Sequence, residues 1–448
     1  MKIAFFVHCF FPDSFYGTET YTLNLAKQIR MMGHEPIVIS AKSLGEPRNK
    51  EAVTSYVYDE IPVYCIDRNY FPYKRIRDTY FYPQMRKVFT DLLASIKPEL
   101  VHVTHLSNHT AVLLEVAAEH NIPLVGTFTD YFGFCFKCTL EGVDGSMCQG
   151  PDESKTNCVA CYIKYIGINH HYNSLILRII NRYRRLYALG INFIINANRI
   201  AGLYAYIVMN VQDIKDRFDV MSKYYSLYDA VIAPTKFLRD AYIANGLTVH
   251  VHLIRFGIDL PRLPKQCRNG FPVRFGFIGQ ISHHKGTDIL VEAFSRLPKG
   301  KAVLNIYGSE HQDPLYMERL KLMAKGHDVF FMGTFPSEKI AEVLSILDFL
   351  VIPSRWHENS PLVLLNALAS HTPVVVSEGK GMTELIEEGK NGYVFPMGSV
   401  EGLEKVLKKI IDNPEHSREM FKTTEYTQTN EMMVEDVLAV YESVMTKG

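Results

Sequence analysis

Apolar and polar positions along the chain fall into two alternating patterns. Short unbroken apolar runs of strand length are followed by longer stretches in which apolar residues return every three or four positions. The runs are KIAFFVHCF at 2–10, EPIVISA at 35–41, ELVHVTH at 99–105, IPLVGTF at 122–128 and DAVIAPT at 229–235. TETYTLNLAKQIRMMGH at 18–34 and AVLLEVAAEHN at 111–121 carry the helical period between them. Unbroken apolar runs suit strands buried on both faces, and their alternation with helices predicts parallel βαβ units. Residues 131–165 break the pattern and hold most of the cysteines, and 165–225 reads as long helices rich in Tyr, Ile and Arg.

A second series starts near residue 273 with VRFGFIGQ and continues through AVLNIYGS, DVFFMGT, FLVIPS and PVVVS, again with helices between. Between the two series lies GIDLPRLPKQCRNGFP, a Pro- and Gly-rich boundary at about 250–272. The expected fold class is α/β: two doubly wound, Rossmann-like domains facing a cleft, 1–250 and 251–448. The first carries the helical and cysteine-rich insert at 131–225. The last helix, about 430–446, has the pattern to pack on either domain.

Composition narrows the class. The 448 residues are 47% hydrophobic and 21% charged, with 48 basic and 48 acidic residues, so no basic excess marks nucleic acid as a partner. MKIAFFVHCFF runs straight into PDSFYGTE without a small-residue cleavage site and reads as a buried strand, and no apolar run reaches membrane-spanning length. The expected compartment is the cytoplasm. The insert NSLILRIINRYRRLYALGINFIINANRIAGLYAYIVMN, with Arg182, Arg184 and Arg185, suits either a hairpin packed on the first domain or peripheral contact with the inner face of a membrane.

HENSPLVLLNALASHTPVVV at 357–376 holds the densest chemistry. Ser360 suits an N-cap and Pro361 the first helical position, so a helix starting there, with Leu362 in its first turn, offers unpaired N–H groups to a phosphate. Glu358 precedes it and Asn366 lies one to two turns inside. A ligand along this start meets a carboxylate, backbone amides and an amide side chain together. Lys285, in GQISHHKG after a strand, is a second polar group at a glycine turn. His283 and His284 beside it point in different directions and read as loop residues.

In order along the chain, YGTETYTLNLAKQIRMMGHE, PLVGTFTDYF, DAVIAPTKFLRDAY, FIGQISHHKGTDILVEAF and ENSPLVLLNALASHTPVVVSEGKGMTELIEEGKNGYVF resemble glycosyltransferase family 4, retaining enzymes of the two-domain GT-B fold. The resemblance implies a nucleoside-diphosphate sugar donor held mostly by the second domain and a glycan or lipid-linked acceptor held mostly by the first. It makes Lys285 the phosphate-binding lysine, where a cation meets the charge that develops on the leaving group. It makes Glu358 the contact for donor-sugar hydroxyls. Gln280 stands where the family usually has Arg, and Asn366 where it has the glutamate that binds ribose; an amide both donates and accepts. Gly17 and Gly279 are candidates for close backbone approach, although Tyr16 replaces the first glycine of the family's N-terminal pair. Glu19 suits dipole compensation at a helix start. Gly381 and Glu384 match a pocket-closing turn and equally suit helix capping. Thr129 stands where many members have histidine, which leaves Asp130 as the polar group of interest for catalysis or acceptor contact. The resemblance further implies front-face attack, in which the leaving phosphate takes the acceptor proton.

Five of the eight cysteines, Cys135, Cys138, Cys148, Cys158 and Cys161, lie in one loop. Two CxxC pairs in a cytoplasmic chain point to a structural zinc held by four of the five, and not to a catalytic metal. The pairs nominate Cys135, Cys138, Cys158 and Cys161; the spacing of the family's insert nominates Cys135, Cys148, Cys158 and Cys161. Free buried thiols are the plainer reading. No cofactor for the chemistry itself is expected. Two other functions compete with sugar transfer. One is nucleotide-sugar epimerisation, for which no acid–base set is evident. The other is a binding or scaffolding protein with a weakened site, which Asn366, Thr129 and Gln280 favour. A Rossmann dehydrogenase lacks its G-x-G-x-x-G after the first strand.

Overall fold

The computed structural model describes residues 1–42, 51–169, 203–261, 263–264 and 272–446. The centre of the helical insert, with Arg182, Arg184 and Arg185, lies outside the described residues. The chain divides into two compact units. Unit 1 comprises Met1–Ala233, Leu238–Ile254 and Val434–Gly448; unit 2 comprises Pro234–Phe237 and Arg255–Met433.

Unit 1 is built on an eight-stranded sheet. Its strands are β1 (Lys2–Val7), β2 (Glu35–Lys42), β3 (Val53–Tyr58), β4 (Ile61–Asp67), β5 (Leu100–Val103), β6 (Leu124–Thr127), β7 (Ala230–Ala233) and β8 (Val251–Leu253). They lie in the order β3-β4-β2-β1-β5-β6-β7-β8, parallel throughout except where β3 runs antiparallel to β4. The β3–β4 hairpin is absent from the sequence reading. Its two-residue turn is Asp59-Glu60, both left-handed, with φ of 48° and 64°. A turn of that type normally advertises itself through Asn-Gly or Asp-Gly, and Asp-Glu does not.

Unit 2 is a six-stranded, all-parallel sheet of β9 (Val273–Ile278), β10 (Ala302–Tyr307), β11 (Val329–Gly333), β12 (Phe349–Ile352), β13 (Val374–Ser377) and β14 (Gly392–Phe395). The order is β11-β10-β9-β12-β13-β14. Val273, Phe275, Leu304, Ile306, Phe349, Val351 and Val375 are buried under helices Thr287–Ser295, Pro314–Ala324 and Val400–Asp412. The central strands of both units are buried on both faces, which is why they read as unbroken apolar runs.

The final helix, Asn430–Met445, leaves unit 2 and groups with unit 1 from Val434 onward. Tyr441 at its far end is buried against β5, its hydroxyl bonded to His102 Nδ1. His102 Nε2 meets the Thr127 hydroxyl of β6 at 2.8 Å, and Tyr21 reaches the same hydroxyl at 3.1 Å. These four polar groups satisfy one another in a dry interior, as buried hydroxyls and imidazoles must. No helix among the described residues is long and apolar enough to cross a membrane.

Candidate functional site

The strand order reverses once in each sheet, between β1 and β5 in unit 1 and between β9 and β12 in unit 2. Loops leaving the carboxyl ends of the two strands at such a reversal part to opposite sides and open a crevice, the usual ligand position in an open parallel sheet. Both groups of polar residues described below gather at those crevices, mostly on these loops.

In unit 2, Lys285 follows β9 and Glu358 follows β12. The Lys285 ammonium donates to Glu358 Oε1 at 2.7 Å, and the Ser354 hydroxyl donates to the same oxygen. Both bonds end on Oε1, and among the described residues no donor reaches Oε2. Glu358 is only 5% exposed, so its orientation is fixed by its surroundings. The two loops touch through backbone. A Cβ at Gly286, where φ is +71°, would stand 1.9 Å from the Pro353 carbonyl oxygen, so only glycine permits the approach. Arg355 clamps them further: its N–H donates to His284 O at 2.9 Å, and its guanidinium donates to Asp288 Oδ2 at 2.9 Å. Asp288 is buried and also accepts from the Tyr316 hydroxyl at 2.9 Å. Trp356, the only tryptophan of the chain, carries Lys285 Nζ 5.7 Å from its ring centroid.

The helix after Glu358 spans Leu362–Ala369, with Pro361 at the cap position and no side-chain cap. It starts one residue later than the sequence suggests, and Ser360 does not cap it. The Leu364 N–H already donates to the Pro361 carbonyl oxygen at 2.9 Å, which leaves those of Leu362 and Val363 to face a ligand. Asn366 and Gln280 are half-exposed, and neither amide makes a hydrogen bond among the described residues. Gly279 directly follows β9, with Gly308 packed so closely that a Cβ there would lie 2.2 Å from the Gly279 carbonyl oxygen. A Cβ at Gly381 would stand 2.4 Å from the Asn359 carbonyl oxygen, so this glycine lets the next turn lie on the Glu358 loop. Glu384 is a cap: its carboxylate accepts from the N–H groups of Lys236 and Phe237 at 3.0 and 2.6 Å.

Unit 1 holds a second group that the sequence reading largely missed. His8 follows β1, His105 follows β5 and Asp130 follows β6. His105 Nε2 meets Asp130 Oδ2 at 3.0 Å, while its Nδ1 accepts from the Ser107 N–H at 3.1 Å. That second bond puts the ring hydrogen on Nε2, where Asp130 receives it. Asp130 Oδ1 accepts from the Phe132 N–H at 2.8 Å. Burial alone would raise the Asp130 pKa, but His105, the Phe132 amide and His8 outweigh it and hold the carboxyl below its ordinary value. The His8 ring lies 4.4 Å from that of His105, and its Nε2 is 3.5 Å from Glu19 Oε1. Burial and His105 push His8 down to about 3, so it is neutral at physiological pH. Glu19 is buried, and that burial raises its pKa; it is part of this cluster and not a solvated dipole partner. Thr18 donates to the Thr129 hydroxyl at 3.2 Å. Gly17 is exposed at the start of helix Gly17–Met31, and a Cβ there would touch nothing within 4 Å. The signal that would have found His8 and His105 is position: each is the first or second polar residue past a central parallel strand.

Comparison with known proteins now decides the family. The profile of group 1 glycosyl transferases matches residues 265–427, and that of glycosyltransferase family 4 matches residues 15–136. The chain belongs to the group 1 glycosyltransferases of family 4. This glycosyltransferase is 26% identical over 222 residues to the sulfoquinovosyl transferase of Arabidopsis thaliana, a match covering 46% of this chain and 41% of that one. It is 28% identical over 185 residues to a GDP-mannose-dependent alpha-mannosyltransferase of Mycobacterium tuberculosis, covering 39% and 46%. The matches thus span less than half the length of these curated relatives. The fold of the glycosyltransferase is GT-B, with two Rossmann-like domains. Sucrose-phosphate synthase from Thermosynechococcus elongatus superposes with a TM-score of 0.61 at 15% identity, covering all of both chains. The Anabaena protein HepE in complex with UDP and glucose gives 0.63 at 15% identity, covering 99% and 100%.

Proposed function

We propose that the chain moves a hexose, with retention of configuration, from a nucleoside-diphosphate sugar to a glycan or lipid-linked glycan acceptor. The observation that carries the donor half is the Lys285–Glu358 pair at the unit 2 strand reversal, with Glu358 Oε2 left over. A buried carboxylate already neutralised through one oxygen has a single job for the other: accepting from hydroxyls, as a sugar ring supplies. The Lys285 ammonium has two further hydrogens to donate. Together with the uncapped helix start at Leu362, it supplies positive potential for a diphosphate.

As the glycosidic bond breaks, negative charge grows on the β-phosphate, and Lys285 stabilises it most at that moment. The leaving oxygen then takes the acceptor proton and no protein nucleophile is required, which is the front-face reading. The Gln280 and Asn366 amides have hydrogen-bonding capacity unspent on protein, suited to phosphate and ribose. HepE, a solved relative by fold, binds UDP and glucose, which makes UDP the first nucleotide to try. In unit 1, Asp130 is the acceptor-side group: an ionised carboxylate oriented by His105 and the Phe132 amide, suited to a sugar hydroxyl.

Trp356 provides the test. A nucleotide or nucleotide sugar that engages Lys285 changes the surroundings of the one indole in the chain. UDP, GDP, ADP, dTDP and CDP are titrated against tryptophan emission without added metal. Saturable change with one of them, followed by turnover of its sugar with retained anomeric configuration, supports the reading. No change with any nucleotide, in protein shown to be folded, sinks it.

A further inference from the structure

The cysteine loop does not sort as its two CxxC pairs suggest. Cys135, Cys148, Cys158 and Cys161 line one small recess, floored by Phe134 and Leu140. Cys138 does not line it. Its half-buried thiol faces the Phe136 carbonyl oxygen at 4.0 Å, on the side of Asp130. The backbone explains the split. Cys138 adopts a left-handed φ of 61° after the turn in which its N–H bonds to Cys135 O at 3.1 Å. That turn sends the two side chains of the first pair in different directions. The second pair stays together, because Cys158 and Cys161 lie three apart on helix Thr156–Asn169 and share a face. Cys148 is brought across by its N–H bond to Leu140 O at 2.7 Å. Its sulfur accepts from the Gly150 N–H at 3.4 Å and from the Asn157 amide at 3.8 Å, the outer bonds that steady a metal-bound thiolate.

The helix that carries the second pair packs in a small apolar cluster of Val159, Tyr162, Val211 and Ile214 with half-buried neighbours. So small a cluster gains from a cross-link.

In the thiol form the sulfurs do not stand at ligating separation. Among the described residues no group of three or more His, Cys, Asp or Glu side chains is set up around a metal. The Cys161 thiol faces Glu141 O at 3.9 Å and that of Cys148 faces Gly150 O at 3.4 Å. Ligation therefore means side-chain rotation into the recess.

We infer that Cys135, Cys148, Cys158 and Cys161 bind one structural zinc ion, and that Cys138 is not a ligand. Four S–H bonds break, four Zn–S bonds form and four protons pass to solvent, with no change in oxidation state. The site is closed at four ligands, so it staples the loop and takes no part in sugar transfer.

The test is metal content of the full chain, purified in reducing buffer without chelator. Wild type is expected to carry about one zinc per chain, and Cys138→Ser the same; Cys158→Ser and Cys161→Ser are expected to fall below about a fifth of that. Cobalt titration of the chelator-stripped wild type gives a second reading that needs no variant to fold. Intense thiolate-to-cobalt absorption with a tetrahedral visible band is expected, unchanged in Cys138→Ser. Wild type without zinc and without that absorption overturns the inference. So does loss of zinc in folded Cys138→Ser, which would return the ligand set to the two CxxC pairs.

Discussion

The two sheets reverse their strand order at equivalent places and put opposite chemistry there. Unit 2 sets a cation against a carboxylate, Lys285 on Glu358, with oxygen and ammonium valences left over. Unit 1 sets two imidazoles and two carboxylates together, His8, His105, Glu19 and Asp130, with His8 held neutral. Under the proposed function one fold position serves two tasks. A charged pair suits a diphosphate, whose charge changes during reaction. A hydrogen-bonding cluster of imidazoles and carboxylates suits hydroxyls, which need orientation more than neutralisation. The difference teaches that the location of a ligand in such a sheet comes from topology, whereas its kind comes from the few residues past the strand ends.

The largest effect expected from breaking this comparison is at Lys285. Lys285→Ala removes the ammonium that the proposed function sets against the leaving phosphate, and kcat is expected to fall by roughly 10²–10³, the usual loss for a preorganised charge-stabilising donor. Glu358→Ala is expected to lose a similar factor, and the double variant little more than either alone, because the two side chains act as a unit. A double variant that multiplies the two losses would show that the pair is not one device.

The two sheets should also part company in acid. His8, His102 and His109 all belong to unit 1, and burial drives their pKa values down to about 3, 3 and 4. A histidine with a depressed folded pKa stays neutral in the native state while the unfolded chain takes up protons below its ordinary 6.5. Stability from these groups is therefore full above pH 6.5 and drains away as pH falls toward 4. In unit 2, among the described residues, only His357 shows such a depression. Between pH 7 and 5, unit 1 is expected to lose a few kcal/mol, about 1.4 per histidine per pH unit at most, and unit 2 clearly less. Hydrogen exchange of β1, β5 and β6 against β9, β12 and β13, corrected for intrinsic rates, reads the difference. Equal losses in both sheets would break the contrast.

Sequence legibility followed the same divide. The unit 2 candidates stood out because most of them cluster in one continuous stretch, HENSPLVLLNALASHTPVVV, with Lys285 in a glycine turn. The sequence nominates Gly17 and Gly279 for close approach, whereas the tight backbone contacts fall at Gly286 and Gly381. The unit 1 cluster was not readable, because its members come from four separate segments joined only by parallel pairing. His8 looked like the tail of an apolar strand, His105 like the end of another, and Glu19 like a helix-start acid. Only Asp130 stood out. The parallel strands were legible as apolar runs, but the β3–β4 hairpin was not, since its turn lacks glycine and asparagine. The cysteine spacing left two ligand sets open, because a CxxC spacing does not show that Cys138 itself takes a left-handed φ of 61°.

A smaller loss is expected on the acceptor side. Asp130→Asn keeps the shape and removes the charge that His105 and the Phe132 amide hold in place. KM for the acceptor is expected to rise by about tenfold, the worth of one charge-assisted hydrogen bond, while donor binding followed at Trp356 stays unchanged. If donor affinity moves instead, the division of labour between the two clusters is wrong.

The smallest effect sharpens the comparison within unit 2 itself. Asn366 is half-exposed and its amide is unspent, at the position where the family carries a glutamate. A neutral amide makes two ordinary hydrogen bonds to a diol, whereas a carboxylate makes two charge-assisted ones, about twice as strong each. Asn366→Glu is therefore expected to tighten nucleoside-diphosphate binding by roughly threefold to tenfold, since the net gain per strengthened bond is about 0.5–1 kcal/mol once hydration is returned. The new charge lies along the helix start proposed to receive the phosphates, so it partly offsets the positive potential there, which keeps the gain modest. The nucleoside and the free diphosphate separate the two contributions. Tighter binding of the nucleoside with weaker binding of pyrophosphate places Asn366 at the ribose. Equal weakening of both would mean that the site works with an amide because it needs one less negative charge beside Glu358.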